Sequence, residues 1–93
     1  MGRFYAIERY KLSLQLHLGD FAKRVRARFG LSQEQMAELL HITVRSYSDL
    51  ERKRCCFSMQ TFLFLLFILE DAEILQLLAV LRELAKEAEH ESI

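Results

Sequence analysis

The spacing of apolar and polar positions changes several times along this chain, and the densest apolar stretch comes late. After Thr61, the eight residues from Phe62 to Leu69 are all apolar. A helix at a protein surface keeps one side polar for water, and this run has no polar side, so something must cover it. A membrane-spanning helix needs about 20 consecutive apolar residues. Gln60 and Thr61 on one side and Glu70 and Asp71 on the other end the run well short of that, so it predicts no membrane span.

Upstream, local signals predict a series of short helices. Asp20 can cap a helix through about Phe29 with Phe21 and Val25 on one face, and Gly30 ends it. Ser32 followed three residues later by Gln35 has the form of a capping box, opening a helix that buries Met36, Ala37, Leu39 and Leu40. Thr43 can cap the next helix, whose buried face is Val44 or Tyr47 with Leu50. Ser58 can cap a fourth that contains the apolar run, and Asp71 can start a fifth that reaches about His90. In the fifth, Ile74, Leu77, Leu81, Leu84 and Ala88 recur at spacings of three and four, a seam of the coiled-coil kind, widened by Leu75, Leu78 and Ala85.

The N-terminal segment has a different period. Leu12, Leu14, Leu16 and Leu18 alternate with Ser13, Gln15 and His17, which is strand spacing and favours a strand over 10–18. Such a strand needs a partner: residues 3–8 in a hairpin, or the same strand of a second copy. The rival reading is a helix with Phe4, Ile7, Leu14, Leu18 and Phe21 on one face. Glu8, Arg9 and Lys11 interrupt any apolar core here, so the segment does not resemble a secretion signal, and the expected compartment is the cytoplasm.

Composition agrees with an all-α chain. There is no proline, glycine occurs three times, and good helix formers are abundant. A single domain of 93 residues that is 52% hydrophobic has the material for a core. Cys55 and Cys56 are adjacent, which strains a mutual disulfide, so reduced thiols are expected, with no metal site and no cofactor. Charge is uneven despite a net of zero: residues 1–18 carry +2, residues 19–54 carry +3 and residues 55–93 carry −5. A basic front and an acidic tail suggest a polyanion-binding part joined to a part with another task. No paired carboxylates, nucleophile with base, or glycine-rich phosphate loop can be assembled, so no enzyme is expected.

The segment "LSQEQMAELLHITVRSYSDLERKR" followed by "FSMQTFLFLLFIL" resembles the helix-turn-helix domain of the phage-repressor type, the group of Cro, lambda repressor and the xenobiotic-response-element regulators. The likeness covers residues 20 to about 72. It rests on the entry Gly30-Leu31-Ser32-Gln33, small Ala37 where two helices touch, Ile42 after the turn, Thr43 as cap, Leu50-Glu51 late in the second helix, and the Ser58–Leu69 helix. It implies a five-helix, lambda-repressor-like bundle that binds duplex DNA as a homodimer and regulates transcription, the expected role being that of a repressor. Several positions depart from the pattern: His41 stands where relatives usually have glycine in the turn, Val44 where they commonly have a basic or amide side chain, Asp49 where they often have a basic one, Phe57 where a proline typically precedes the capping serine, and Phe64 and Phe67 where they ordinarily carry polar residues.

In this motif the second helix enters the major groove and presents its N-terminal residues to base edges. Thr43, Val44, Arg45, Ser48, Asp49 and Arg52 are the residues of that helix not needed for packing. Arg45 suits guanine, whose two major-groove acceptors match its fork, Val44 a thymine methyl, and Ser48 several bases. Asp49 can accept from cytosine or simply pair with Arg45 or Arg52. Gln33, in the first turn of the positioning helix, is placed for a phosphate. Arg52, Lys53 and Arg54, with Lys23, Arg24, Arg26 and Arg28 upstream, are candidates for further phosphate contacts.

The chain thus divides into an arm over 1–18, a DNA-binding domain over 19–72 with its motif at 32–54, and a dimerisation helix over 73–93. The expected homodimer interface is Leu63, Phe64 and Phe67 of the fourth helix with Ile74, Leu77, Leu78, Leu81 and Leu84 of the fifth, the fifth helix also laying one side on Phe64 and Phe67. The alternative function is a protein-interaction module, antitoxin-like, that keeps the domain as a scaffold and binds a different protein through its apolar C-terminal half.

Overall fold

The computed structural model describes the backbone of residues 2–91 and the side chains of residues 8–88. Among the described residues there are five helices: α1 (Gly2–Arg28), α2 (Gln33–Leu39), α3 (Val44–Glu51), α4 (Met59–Phe67) and α5 (Asp71–Glu91). No strand occurs among the described residues.

The strand expected over 10–18 is therefore a helix, and α1 passes through Asp20 without a cap. A lone strand leaves its backbone groups unpaired, whereas a helix satisfies them within one segment. Alternate leucines are also compatible with a helix, because every second leucine falls four residues from the last. Leu14 packs against the core and Leu18 is buried within it, while Leu12 and Leu16 face solvent. The side chains of Phe4 and Ile7, which completed the helical reading, lie outside the described residues. The boundaries expected at 18/19 and 72/73 fall inside α1 and α5.

Three helix ends are built alike. After α1, α2 and α3 the chain turns with one residue in the left-handed region, Gly30 (φ 67°), His41 (φ 60°) and Lys53 (φ 63°). In each, the next residue's amide reaches back five positions: Leu31 to Arg26, Ile42 to Ala37 and Arg54 to Asp49. This is the Schellman arrangement, which satisfies carbonyls that a helix end otherwise leaves open. Glycine adopts that backbone freely. His41 and Lys53 do so at a cost of roughly 1–2 kcal/mol each, and both have compensating contacts: the His41 ring rests 4.4 Å from the Phe64 ring, and the Lys53 side chain is held by α1 as described below.

The starts of α2, α3 and α4 are capped as the sequence predicts. Ser32 and Gln35 form a reciprocal capping box, and the Thr43 and Ser58 hydroxyls accept from the amides of Ser46 and Thr61. At the fifth helix the Glu73 carboxylate reaches back to the Glu70 amide.

The core joins Leu18, Ala22 and Val25 of α1 to Met36, Ala37, Leu40, Tyr47, Leu50, Leu65, Leu69 and Leu77. Leu39, expected inside, is largely exposed, and of the pair Val44 or Tyr47 it is Tyr47 that is buried. Helix α5 runs antiparallel along α1: Arg28 pairs with Glu73 at one end, and the Tyr10 hydroxyl donates to the Leu81 carbonyl further along.

That packing changes the expected interface. Leu77, assigned to a dimer contact, is only 2% exposed within the single chain, and Ile74 and Leu81 pack against the same core. Leu84 is half-buried beside Arg9 and Leu12 of α1. The α5 seam is taken by the chain's own first helix, whose length the expected 1–18 arm did not include. Phe64 packs at the edge of the core and is met by the His41 ring and by the edge of Phe67. Leu63, Phe67, Leu75 and Leu78 stay exposed, Phe67 at 74%.

Candidate nucleic-acid interface

Two short helices, α2 and α3, are joined by the His41 turn, and their caps fix where each begins. Ala37 is buried where they meet, 2% exposed, which leaves no room for a larger side chain. Tyr47 and Leu50 anchor the inner face of α3. On its outer face Thr43, Val44 and Arg45 are exposed together at the N-terminal end, with Ser48 and Asp49 half-buried further along and Arg52 exposed beyond the last turn.

The inner face carries a polar network that ties α3 to both neighbours. Arg26 of α1 grips Glu51 with two hydrogen bonds, Nε to Oε2 at 2.6 Å and Nη2 to Oε1 at 3.1 Å, and its third arm donates to the Leu31 carbonyl. The Gln33 side chain donates to the same Glu51 at 3.0 Å. Burial alone would raise the Glu51 carboxyl, but Arg26, with Tyr47 and Gln33 adding, outweighs it and holds the group below the ordinary glutamate range. The Tyr47 hydroxyl is buried beside this pair without reaching hydrogen-bond geometry to any described residue. Burial, then the neighbouring carboxylate, pushes that phenol up, so it stays protonated.

The network reassigns several residues. Gln33 lies in the first turn of α2 as expected, with one amide hydrogen committed to Glu51 and a second left over. Arg26 and Arg28, expected on phosphate, are engaged by Glu51 and Glu73. Lys53 is engaged by Asp20 at 2.8 Å. Asp49 lies 3.8 Å from Arg54, not beside Arg45 or Arg52. Lys23, Arg24, Arg45 and Arg52 are the exposed cations of this region for which no carboxylate lies within ion-pair distance among the described residues.

Three residues with no part in the motif as read from the sequence also touch it. Gln15 donates from Nε2 to the Lys53 carbonyl at 2.6 Å, Asp20 pairs with the Lys53 ammonium, and Gly19 lies against the carbonyl of Leu50. The signal for Gly19 is an isolated glycine inside a helix, a costly position that goes with close packing, and Gln15 and Asp20 carry no such local mark.

A helix-turn-helix family model matches residues 23–65, which takes in the C-terminal end of α1, all of α2 and α3, and most of α4. No curated protein and no solved structure matches the chain. The matched span coincides with the caps, the turn and the buried Ala37 contact just described, and over it the chain is similar to the DNA-binding helix-turn-helix regulators of the lambda-repressor and xenobiotic-response-element type.

Proposed function

We propose that this protein is a sequence-specific transcriptional regulator, a repressor acting as a homodimer on duplex DNA in the cytoplasm, with α3 as the recognition helix. The observation that carries this reading is the division of α3 into an inner face locked by Tyr47, Leu50 and Glu51 and an outer N-terminal end where Thr43, Val44 and Arg45 are exposed. Arg45 reads guanine, Val44 meets a thymine methyl, and Ser48 adds a polar contact. Asp49 is at the edge of this surface. Gln33, through its second amide hydrogen and the first-turn amides of α2, takes a phosphate, and Arg52 and Arg54 supply further backbone charge.

The test is a titration with duplex DNA of random sequence at two salt concentrations, followed by selection of bound duplexes from a random pool. Salt-sensitive binding and an enriched sequence are the expected results. On the selected site, Arg45→Ala costs roughly 1–3 kcal/mol and relaxes the preference, whereas Gln33→Ala weakens all sites alike. An Arg45→Ala protein with unchanged affinity and preference would show that α3 does not read bases with this face.

A second copy of the chain would use the apolar residues left outside: Leu63 and Phe67 of α4 with Leu75 and Leu78 of α5. A dimer at tens of micromolar in sedimentation supports this. The same four side chains favour the second reading, an interaction module for a different protein, and a chain that is monomeric and indifferent to DNA at low salt would select it.

A further inference from the structure

The family match begins at residue 23, yet the last turn of the recognition helix is held from further upstream. Three contacts converge there from one and a half turns of α1, and each needs a particular residue type. Gln15 supplies a donor long enough to reach the Lys53 carbonyl, at 2.6 Å. Asp20 supplies the anion for the Lys53 ammonium, at 2.8 Å. Gly19 supplies an absence: a Cβ on it would lie 2.7 Å from the Leu50 carbonyl oxygen. Lys53 itself is in the left-handed conformation that ends α3. Its carbonyl, beyond the helix ladder, is free to take the Gln15 amide.

We infer that Gln15, Gly19 and Asp20 are positioning residues that set the pose of the recognition helix on DNA. The reading unit of this chain then begins near residue 15, ahead of the matched domain. The inference rests on α3 being the recognition helix, as proposed above.

Leverage is the physical reason that such a clamp matters for sequence reading more than for general affinity. Eight residues of helix span about 12 Å, and the clamp grips the C-terminal end while Thr43, Val44 and Arg45 sit at the other. A tilt of about 10° about the gripped end would move the base-facing end by about 2 Å, given that length. Hydrogen bonds to base edges tolerate only a few tenths of an ångström and weaken steeply off axis. Contacts from mobile surface cations to phosphate accommodate such a shift, since they carry no sequence information and bind any site. Loosening the clamp is therefore expected to reduce discrimination first.

The discriminating variant is Gln15→Met in the full chain, similar in length but without a donor. Two measurements are made beside the unmodified protein: amide hydrogen exchange of the free chain, and affinity for both the duplex it selects from a random pool and a random-sequence duplex at the same salt. Losing one hydrogen bond should speed exchange at Arg52, Lys53 and Arg54 by roughly five- to tenfold, with α2 amides unchanged. Affinity for the selected duplex should fall about five- to tenfold by the same lost bond, while random-duplex affinity holds. Unchanged exchange at the three amides overturns the clamp, as does an equal fall in affinity for both duplexes, which is the mark of a purely structural role. If the unmodified chain selects no duplex, the functional reading fails and the clamp's part in DNA reading fails with it. If it selects one and Gln15→Met leaves discrimination intact, the clamp alone fails.

Discussion

Gly19→Ala sets two well-understood effects against each other. Inside a helix, alanine is favoured over glycine by about 1 kcal/mol, because glycine loses more freedom on folding, so on α1 alone the substitution should stabilise the protein. The added methyl, however, would sit 2.7 Å from the Leu50 carbonyl oxygen and 3.0 Å from Cγ of Lys53. Close carbon–oxygen contacts settle at about 3.3 Å or more, so α1 and α3 must part by about 0.6 Å. The Lys53 side chain can move aside, but the Leu50 oxygen belongs to the helix ladder and cannot. Overpacking of this kind costs roughly 1–3 kcal/mol, and loosening the Gln15 bond to Lys53 adds up to about 1. The expected net is about 1–2 kcal/mol of destabilisation, a fall in Tm of roughly 5–15 °C for a domain of this size. Thermal unfolding followed by circular dichroism reads it directly. Ala79→Gly on the exposed side of α5 calibrates the helix-propensity part, with an expected loss of about 1 kcal/mol. A Gly19→Ala protein that melts above the unmodified chain would show that the two helices are not in backbone contact at this point.

Further expectations follow from the same packing. Arg26→Met leaves a Glu51 carboxylate that is 5% exposed without its main partner and should cost about 2–4 kcal/mol in urea unfolding; a loss under about 0.5 would place the pair in effective contact with water. Because the folded Glu51 titrates below its usual 4.5, its contribution is present above the unfolded value and is lost as pH falls through the lower folded one, so stability should decline below about pH 4.5 and Glu51→Gln should flatten that decline. Leu77→Glu should unfold the chain, since Leu77 is a core residue, whereas Leu63→Glu, at an exposed position, should leave a folded protein. A folded Leu77→Glu monomer would return α5 to the role of a free dimerisation helix.

The starts of α2, α3 and α4 were legible because each cap is a local event, whereas the start expected at Asp20 lies inside α1. Ser32 with Gln35, Thr43 and Ser58 act within three residues of themselves, and the structure places all of them as the sequence predicts. The turn at His41 was legible from the family pattern, which puts glycine there, and the residue takes the left-handed backbone. Long-range pairings were not. Arg26 and Glu51 stand 25 residues apart, and nothing near either announces the other, so Arg26 was indistinguishable from the basic residues around it. The leucines at 12, 14, 16 and 18 were ambiguous because spacings of two and four coincide in them. Reading a strand there removed half of α1, and the error spread to α5, whose seam was then assigned to a second copy although α1 covers it.

The eight apolar residues from Phe62 to Leu69 can now be accounted for one by one. Leu65 and Leu69 enter the core, with Phe62, Leu66 and Ile68 packed at its edge. Phe64 also packs at the core's edge and lies against the His41 ring, so that an apolar residue unusual for the family meets a turn residue unusual for the family. The two departures support each other: the ring contact offsets part of the strain of a histidine in a left-handed turn, and the histidine covers a phenylalanine that would otherwise face water. Leu63 and Phe67 are left, four residues apart on the outer side of α4, and no part of the described chain buries them. Because α1 already covers the α5 seam, the interface proposed above would be centred on α4. That helix touches the motif through the Phe64–His41 contact, at the turn between the two helices that would sit on DNA. A partner that packs on Leu63 and Phe67 therefore bears on the turn through one layer of side chains, since Phe67 itself lies edge-on to Phe64 at 5.9 Å.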